Sequence, residues 1–183
     1  MTESAMIEML LKNRVSWLSD SGPEDDIAIS SRIRLARNLD GLPFPIAANP
    51  EQLLNVWGAV QLTSVQAKCV PDQILFEMQK LKELDRKILL ERRLISREFL
   101  IDKPGAGLIV SPDESLAIMV NEEDHLRIQA LRPGFQLKEV WTVIDALDTV
   151  LGKELKFGFD SQLGYLTSCP TNVGTGMRAS VML

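Results

Sequence analysis

The chain has 183 residues, of which 45% are apolar and 25% charged, and a formal net charge of −5 at pH 7; this composition suits one folded domain rather than a disordered segment. The negative charge argues against broad binding to nucleic acid or anionic membranes. No apolar run is long enough to span a bilayer. The acidic N-terminus lacks the features of a secretory signal. Because Cys69 and Cys169 are far apart and form no metal-ligand pair, we expect a reduced, cytoplasmic protein.

The N-terminal half combines helical and extended patterns. Asn49 followed by Pro50 predicts a helix start, because asparagine caps free N–H groups and proline fits the first helical turn. The predicted elements, in chain order, are a helix over residues 4–13, an acidic loop ending at residue 26, a strand over 27–35, a helix from 50 to about 69, and a helical stretch over 71–94.

The C-terminal half favours a hairpin followed by a long helix. Ser-Pro-Asp-Glu at 111–114 is a turn sequence between two apolar runs, which predicts a hairpin over residues 107–120. An amphipathic helix is expected over 135–151, and short strands near 164–167 and 179–183. Hairpins mixed with helices, without regular strand–helix–strand alternation, predict an α+β fold with helices packed on an antiparallel sheet.

Arg32 and Arg34 are the first residues that suggest a binding site. Side chains two positions apart in a strand share a face, and two guanidinium groups on one face repel unless an anion lies between them. Arginine forks match phosphate oxygens well, so this pair predicts a phosphate site. The alternatives are a solvated edge strand, or arginines paired with the acidic loop at 24–26.

Residues 121–127 bring three acids and an arginine to the end of an apolar strand. Alternation would separate Glu123 from its acidic neighbours, and Arg127 four positions later would lie beside it. The segment therefore predicts a carboxylate next to a phosphate clamp, or alternatively a solvated acidic turn with a local ion pair. His125, the only histidine, is interpreted as a structural ring, and no metal site can be built from it.

The glycine-rich segment from Cys169 to Arg178 fits none of three familiar loops. A phosphatase loop needs arginine six positions after the cysteine, where this chain has Thr175. No Gly-Lys-Ser/Thr string is present for a P-loop, and His125 has no supporting pattern for a cysteine–histidine pair. What remains is a flexible loop leading to Arg178, with Cys169 either part of a site or a small buried residue.

Three motifs together resemble the catalytic domain of the phosphagen (guanidino) kinases. They are Ser-Ser-Arg-Ile-Arg-Leu-Ala-Arg-Asn at 30–38, Asn-Glu-Glu-Asp-His-Leu-Arg at 121–127 and Cys-Pro-Thr-Asn-x-Gly-Thr-x-x-Arg-Ala-Ser-Val at 169–181. The resemblance covers nearly the whole chain, so residues 1–183 are expected to form one such domain, with the N-terminal helix and acidic loop at 1–26. Within the family the likeness is to bacterial protein arginine kinases, because only 29 residues precede Ser30, too few for the helical domain that encloses small guanidine substrates in creatine and arginine kinases.

The resemblance also implies roles for individual residues. Phosphates would be bound by arginines, the target guanidinium would be held by Glu123, and Cys169 and Asn172 would line the same pocket. The backbone around 30–34 and 178–182 would border the nucleotide. The implied nucleotide-binding residues are Ser30, Ser31, Arg32, Ile33, Arg34, Arg93, Arg127, Arg178, Ala179, Ser180, Val181 and Met182. Arg93 stands where relatives usually have a histidine that contacts the nucleotide, and Met182 stands where creatine and arginine kinases have another.

The implied activity is transfer of a phosphoryl group from ATP to arginine side chains in proteins, with Mg²⁺ held mainly by phosphates and water. The family has a further arginine, a second carboxylate and a dimerising domain downstream of the matching region, so we expect the 183-residue chain alone to be weak or inactive. Implied partners are proteins with exposed arginines, a stress-gene repressor, an activator protein and a Clp chaperone–protease. The alternatives are a non-catalytic nucleotide- or partner-binding remnant and a small-molecule guanidino kinase.

Overall fold

The computed structural model describes residues 3–18 and 22–183. These residues contain four α-helices and eight strands. The helices are α1 (Glu3–Lys12), α2 (Pro50–Gln66), α3 (Glu83–Glu91) and α4 (Leu137–Glu154). The strands are β1 (Ser30–Arg37), β2 (Ile74–Glu77), β3 (Gly107–Val110), β4 (Leu116–Val120), β5 (Leu126–Pro133), β6 (Phe159–Asp160), β7 (Gly164–Tyr165) and β8 (Met177–Met182).

Six strands form one antiparallel sheet in the order β2-β3-β4-β5-β1-β8, and β6 and β7 form a separate small hairpin. The predicted α+β class, with helices packed on an antiparallel sheet, is confirmed. The predicted N-terminal helix, the helix that follows Asn49, the hairpin at 107–120 and the long helix near 135–151 are all present. No helix in the described ranges is both long and apolar enough to cross a membrane.

The prediction of a continuous helical stretch over 71–94 was wrong. Ile74–Glu77 forms the edge strand β2, and helix α3 begins only at Glu83. Ile74 and Phe76 are buried while Leu75 and Glu77 are partly exposed, which is the period of two expected for a strand. Strand β5 was also not predicted, although Leu126, Ile128 and Ala130 alternate with polar positions.

The sheet is covered unequally on its two faces, and this difference creates the site. One face packs on α2 and α4 through a core that extends across the sheet from β3 to β1. The opposite face is covered by α1, α3 and the segment near residue 99, but this second core takes its strand residues from β2, β3 and β4. On that second face, β5, β1 and β8 carry charged side chains.

Candidate active site

Strand β1 presents Arg32 and Arg34 on the second face of the sheet. Arg34 lies opposite Arg178 of β8 and Gln129 of β5 in the strand register. Arg32 lies opposite Ser180, and its Nε donates to the Ser180 hydroxyl at 3.3 Å. Because β1 is hydrogen-bonded on both sides, the alternative of a solvated edge strand is wrong.

The arginines from three strands crowd one another. Burial, and then the charge of Arg127 and of other neighbouring arginines, lowers the pKa of Arg34 from its ordinary value to about 10. Burial and the same kind of repulsion also lower the pKa of Arg32, for which Arg127 and Arg93 are the leading charged neighbours. Within residues 3–18 and 22–183, neither Arg32 nor Arg34 forms an ion pair with a carboxylate, so the acidic loop at 24–26 does not neutralise them. Such a cluster favours binding of a polyanion.

Three cavities that share residues surround this cluster. A cavity of about 350 Å³ is lined by Arg32, Arg93 and Arg127, among others. A second, of about 210 Å³, shares Arg32 and Arg93 and lies towards the 16–18 turn. A third, of about 110 Å³, contains Arg34, Arg127 and Arg178 together with Glu123 and Asn172. Arginines from separate parts of the chain therefore converge, and the third cavity adds the carboxylates of Glu123 and Asp124 to the group.

The acidic segment forms a tight turn rather than a strand end. Asn121 adopts φ +61°, a left-handed conformation that asparagine tolerates, and its N–H donates to the carbonyl of His125 at 3.0 Å. The turn places Glu122, Glu123 and Asp124 in three different environments. The sequence predicted that strand alternation would separate one carboxylate from the other two. In the structure, the turn separates them instead.

Glu122, rather than Glu123, is the ion-pair partner of Arg127. Arg127 Nη1 donates to Glu122 Oε1 at 2.9 Å, and the hydroxyl of Ser96 donates to the same oxygen at 2.5 Å. Burial alone would raise the pKa of Glu122, but the charge of Arg127 and these hydrogen bonds outweigh it and lower the pKa. The turn brings Glu122 towards β5, so the local ion pair of Arg127 is with Glu122, while Glu123 lies beside Arg127 in the lining of the cavity of about 110 Å³.

Asp124 also lines this cavity but is buried and held through one carboxylate oxygen, which leaves Glu123 as the exposed acid of the cavity. Asp124 Oδ1 accepts from Asn38 Nδ2 at 2.6 Å and from the Ser168 N–H at 2.7 Å. Glu123 is exposed and lines the cavity that contains Arg34. Partial burial, and then the charges of Asp124 and Glu122, raise the pKa of Glu123 above its ordinary value, which makes its carboxylate a better proton acceptor.

The loop before β8 carries Asn172 and Cys169. Asn172 lines the Glu123 cavity, and its carbonyl accepts from the N–H of Gly176 at 3.0 Å. Cys169 is half-buried, its Sγ lies 3.0 Å from Thr171 Oγ1, and it is not among the residues that line that cavity. The structure thus brings Asn172 to Glu123, and the role of Cys169 stays a prediction.

The residues implied for the nucleotide divide between the two faces of the sheet. Six of them line the cavity of about 210 Å³: Ser30, Arg32, Arg93, Ser180, Val181 and Met182. The side chains of Ser31 and Ile33 are buried towards the helices, where the Ser31 hydroxyl donates to the Gly134 carbonyl at 2.8 Å. Ala179 pairs with Ile33 and shares its face. Strand alternation therefore leaves Ser31, Ile33 and Ala179 with only their backbone near a nucleotide, which is the kind of contact that the family resemblance implies for residues 30–34 and 178–182.

Arg37 is a site-supporting residue that the sequence analysis missed. It lies on the core face of β1, is 3% exposed, and donates from Nε and Nη2 to the Asp148 carboxylate at 2.9 and 2.8 Å. Its guanidinium carbon lies 3.6 Å from the centre of the Tyr165 ring, and Nη1 donates to the carbonyl of Thr175 at 3.0 Å. A Cβ at Gly176 would lie 2.6 Å from Arg37 Nη1. Arg37 therefore fixes the loop that carries Asn172 and leads into β8.

His125 has the structural role expected of it. It is fully buried, and its Nδ1 accepts from the Leu39 N–H at 3.0 Å. Burial lowers the pKa of His125 from 6.5 to about 4, so the folded protein holds the ring neutral. Within the described ranges, no group of three or more His, Cys, Asp or Glu side chains is placed to hold a metal ion.

This burial predicts a specific loss of stability in acid. The unfolded chain protonates His125 near pH 6.5 and the folded chain only near pH 4, so the free energy of unfolding should fall as the pH decreases through this window. The expected slope from this group is at most about 1.4 kcal/mol per pH unit. Urea unfolding at several pH values should show that slope reduced in His125→Gln, whose amide oxygen can still accept from Leu39. Identical slopes in both proteins would contradict the prediction.

Comparison with known proteins decides the family. Residues 62–183 match the family model described as ATP:guanido phosphotransferase, C-terminal catalytic domain. The chain belongs to this family. The resemblance predicted from the three motifs is thereby confirmed.

The sequence relatives are named protein-arginine kinases. The chain is 47% identical over 184 residues to one from Desulforamulus reducens, covering 96% of this chain and 51% of that protein. It is 48% identical over 177 residues to one from Moorella thermoacetica, covering 94% and 50%. The chain therefore spans about half the length of the curated relatives it matches.

Solved structures of guanidino kinases share the fold. The substrate-free duplicated taurocyamine kinase of Schistosoma mansoni superposes with a TM-score of 0.79 at 24% identity, covering 92% of this chain and 26% of that one. The same kinase with bound transition-state analogue components gives 0.76 at 27% identity, covering 94% and 25%. A lombricine kinase gives 0.74 at 21% identity, covering 94% and 50%.

Proposed function

We propose that this domain transfers the terminal phosphoryl group of ATP to arginine side chains of proteins. The observation that carries the proposal is the cavity in which Glu123 faces Arg34, Arg127 and Arg178. A carboxylate placed against a cluster of guanidinium groups suits a reaction between a cationic acceptor and a polyanionic donor. The names of the bacterial relatives support the choice of protein arginine as the acceptor.

The arginine cluster would bind the triphosphate. Arg32, Arg34, Arg127 and Arg178 would each offer planar donors to phosphate oxygens, and the bound charge would relieve the repulsion that lowers the pKa of Arg34. Mg²⁺, when bound with ATP, would neutralise phosphate charge, and the arginine-rich donor set implies that it is held by phosphates and water. The cavity lined by Ser30, Arg93, Val181 and Met182 would border the rest of the nucleotide.

Glu123 would hold and activate the acceptor. A guanidinium is a poor nucleophile because its lone pairs are delocalised and its pKa lies above about 12. Glu123 would orient one guanidino nitrogen in line with the terminal phosphorus. As the N–P bond forms and the P–O bond to ADP breaks, the nitrogen would release its proton to Glu123, whose raised pKa favours that transfer. Asn172, in the same cavity, would help to fix the guanidinium, with Cys169 close by in sequence.

The wider biological role is part of the same proposal. In the cytoplasm, phosphoarginine would mark proteins for a Clp-type chaperone–protease. A stress-gene repressor would be among the substrates, and an activator protein would regulate the kinase. The resemblance to bacterial protein arginine kinases supports these steps. The acidic chain and its two isolated cysteines are consistent with the cytoplasmic location.

The decisive experiment is a search for phosphoarginine. The chain, Mg-ATP and an arginine-rich protein are incubated together, kept at neutral pH because the P–N bond is acid-labile, and digested for mass spectrometry. We expect phosphoarginine at the low level predicted for this 183-residue chain, but above the level given by Glu123→Gln. ATP binding without any phosphoarginine would instead favour a non-catalytic nucleotide-binding domain, and transfer to free arginine alone would favour a small-molecule kinase.

A further inference from the structure

A large cleft opens beside Glu123 and contains one member of the arginine cluster, Arg127. It has a volume of about 870 Å³ and lies between the loop at 41–48 and the segment at 98–104, next to the 121–125 turn. Glu123 and Arg127 line both this cleft and the cavity that contains Arg34. Its volume is near the upper end for whole small-molecule ligands, so it has room for more than one arginine side chain.

The walls of the cleft are tied to the turn that carries Glu123. Asn121 is fully buried, and its Nδ2 donates at 2.8 Å to the carbonyl of Leu53 on one side and at 2.8 Å to the carbonyl of Gly105 on the other. Lys103 Nζ donates to the carbonyl of Glu122 at 3.2 Å. A group seated in the cleft therefore has a defined position relative to Glu123.

The edges of the cleft are aliphatic and exposed. Ile46 is 89% exposed on one side and Ile101 is 71% exposed on the other. Pro45 and Phe99 are buried beneath them. When a ligand covers two large aliphatic side chains that were exposed to water at the entrance of a site, the burial of their apolar surface stabilises the complex.

The charge of the cleft selects against acidic ligands. Glu98 and Glu123 are exposed carboxylates on its lining. The positive groups are engaged: Arg127 is paired with Glu122, and Lys103 is held by the Glu122 carbonyl. The open part of the cleft is therefore acidic and aliphatic, which complements a neutral or basic chain segment with apolar side chains.

We propose that this cleft binds the polypeptide segment that flanks the target arginine, with aliphatic side chains two residues from that arginine packing on Ile46 and Ile101. This inference rests on the proposed function, whose substrate class it specifies. In an extended peptide, side chains at positions i and i±2 point to the same face. An arginine directed at Glu123 therefore directs its second neighbours into the same cleft, whereas free arginine has no such neighbours.

The test compares two peptides that differ only beside the arginine. Both are uncharged apart from one arginine; one has leucine at positions −2 and +2, and the other has serine there. Binding is measured by fluorescence anisotropy without ATP, and phosphorylation by mass spectrometry. The proteins are the parent chain, the double variant Ile46→Ser/Ile101→Ser, and Leu84→Ser as a matched control, because Leu84 is 68% exposed on α3 and outside the cleft.

We expect the parent chain and Leu84→Ser to bind the leucine peptide about tenfold more tightly than the serine peptide. The double variant should lose this preference while its Mg-ATP affinity and its unfolding midpoint stay unchanged. Equal binding of both peptides by the parent chain, or a preference that survives in the double variant, would overturn the inference. Phosphorylation of both peptides in that case would leave the proposed function standing. A leucine preference without any transfer would support the cleft and count against the transferase.

Discussion

Glu123→Gln is expected to lower phosphoryl transfer by about 10²–10⁴-fold, the range for loss of a positioned general base, with no measurable change in Mg-ATP affinity. Glutamine keeps the shape of the side chain but cannot accept the guanidinium proton or balance its charge. The unfolding midpoint should stay equal or rise slightly, because the substitution removes a charge that Asp124 and Glu122 repel. Transfer is measured as phosphoarginine by mass spectrometry, and ATP affinity by calorimetry.

Glu139→Gln is the matched control, since it removes one exposed carboxylate from α4, away from the site. It should keep parental transfer. If Glu123→Gln retained full transfer, the acceptor role of Glu123 would be wrong. If it lost ATP binding as well, Glu123 would be needed for the nucleotide site rather than for the acceptor.

Much of the fold could be predicted because its strongest local signals agree with the tertiary structure. Asn49 forms the expected cap, accepting from the Gln52 N–H at 2.9 Å, and the hairpin at 107–120 has its turn where proline and aspartate stand. The prediction of a continuous helix over 71–94 was wrong because the lysine- and glutamate-rich sequence around α3 favours a helix, and the four-residue edge strand before it has no strong local signal. That strand forms through pairing with β3, a contact distant in sequence that local propensity does not reveal.

The candidate site was predictable in its residue types but not in its pairings. Strand alternation was enough to place Arg32 and Arg34 on one face. Strand alternation could not show that Arg127 would form its ion pair with Glu122, because this pairing depends on the left-handed turn at Asn121. The odd spacing between Arg34 and Arg37 was the available signal for a buried arginine on the core face. Its partner Asp148 lies 111 residues away, on α4.

Two arginines of strand β1 have different roles: Arg34 is placed to bind a ligand, and Arg37 stabilises the fold. Arg34 is half-buried, lies among other arginines and has its Nε without a hydrogen-bond partner. Arg37 is more deeply buried yet fully engaged by Asp148, Tyr165 and the Thr175 carbonyl. The fold therefore tolerates an uncompensated charge at Arg34 and depends on the charge at Arg37. Uncompensated charge of this kind is characteristic of binding sites, where it lowers stability until the ligand is present.

Replacing each of these arginines with methionine should consequently have opposite effects on stability. Arg34→Met should leave the protein equally stable or more stable by about 1 kcal/mol, after allowing for solvent screening of a half-exposed group, and should weaken Mg-ATP binding about 10- to 100-fold through the loss of charged hydrogen bonds. Arg37→Met should cost about 3–5 kcal/mol, because it leaves Asp148 unpaired in a site where that carboxylate is largely buried. Urea unfolding and calorimetric titration with Mg-ATP measure the two quantities.

Arg34→Met and Arg37→Met can be compared directly, because each variant removes one guanidinium from β1 and introduces the same side chain. The double variant Arg37→Met/Asp148→Leu should recover much of the lost stability, because it removes the stranded carboxylate as well. Destabilisation by Arg34→Met, or unchanged ATP affinity in that variant, would mean that the arginine cluster is structural. Arg34 would then not bind phosphate. The proposal that ATP binds with its triphosphate opposite Glu123 would lose the contact on which it chiefly depends.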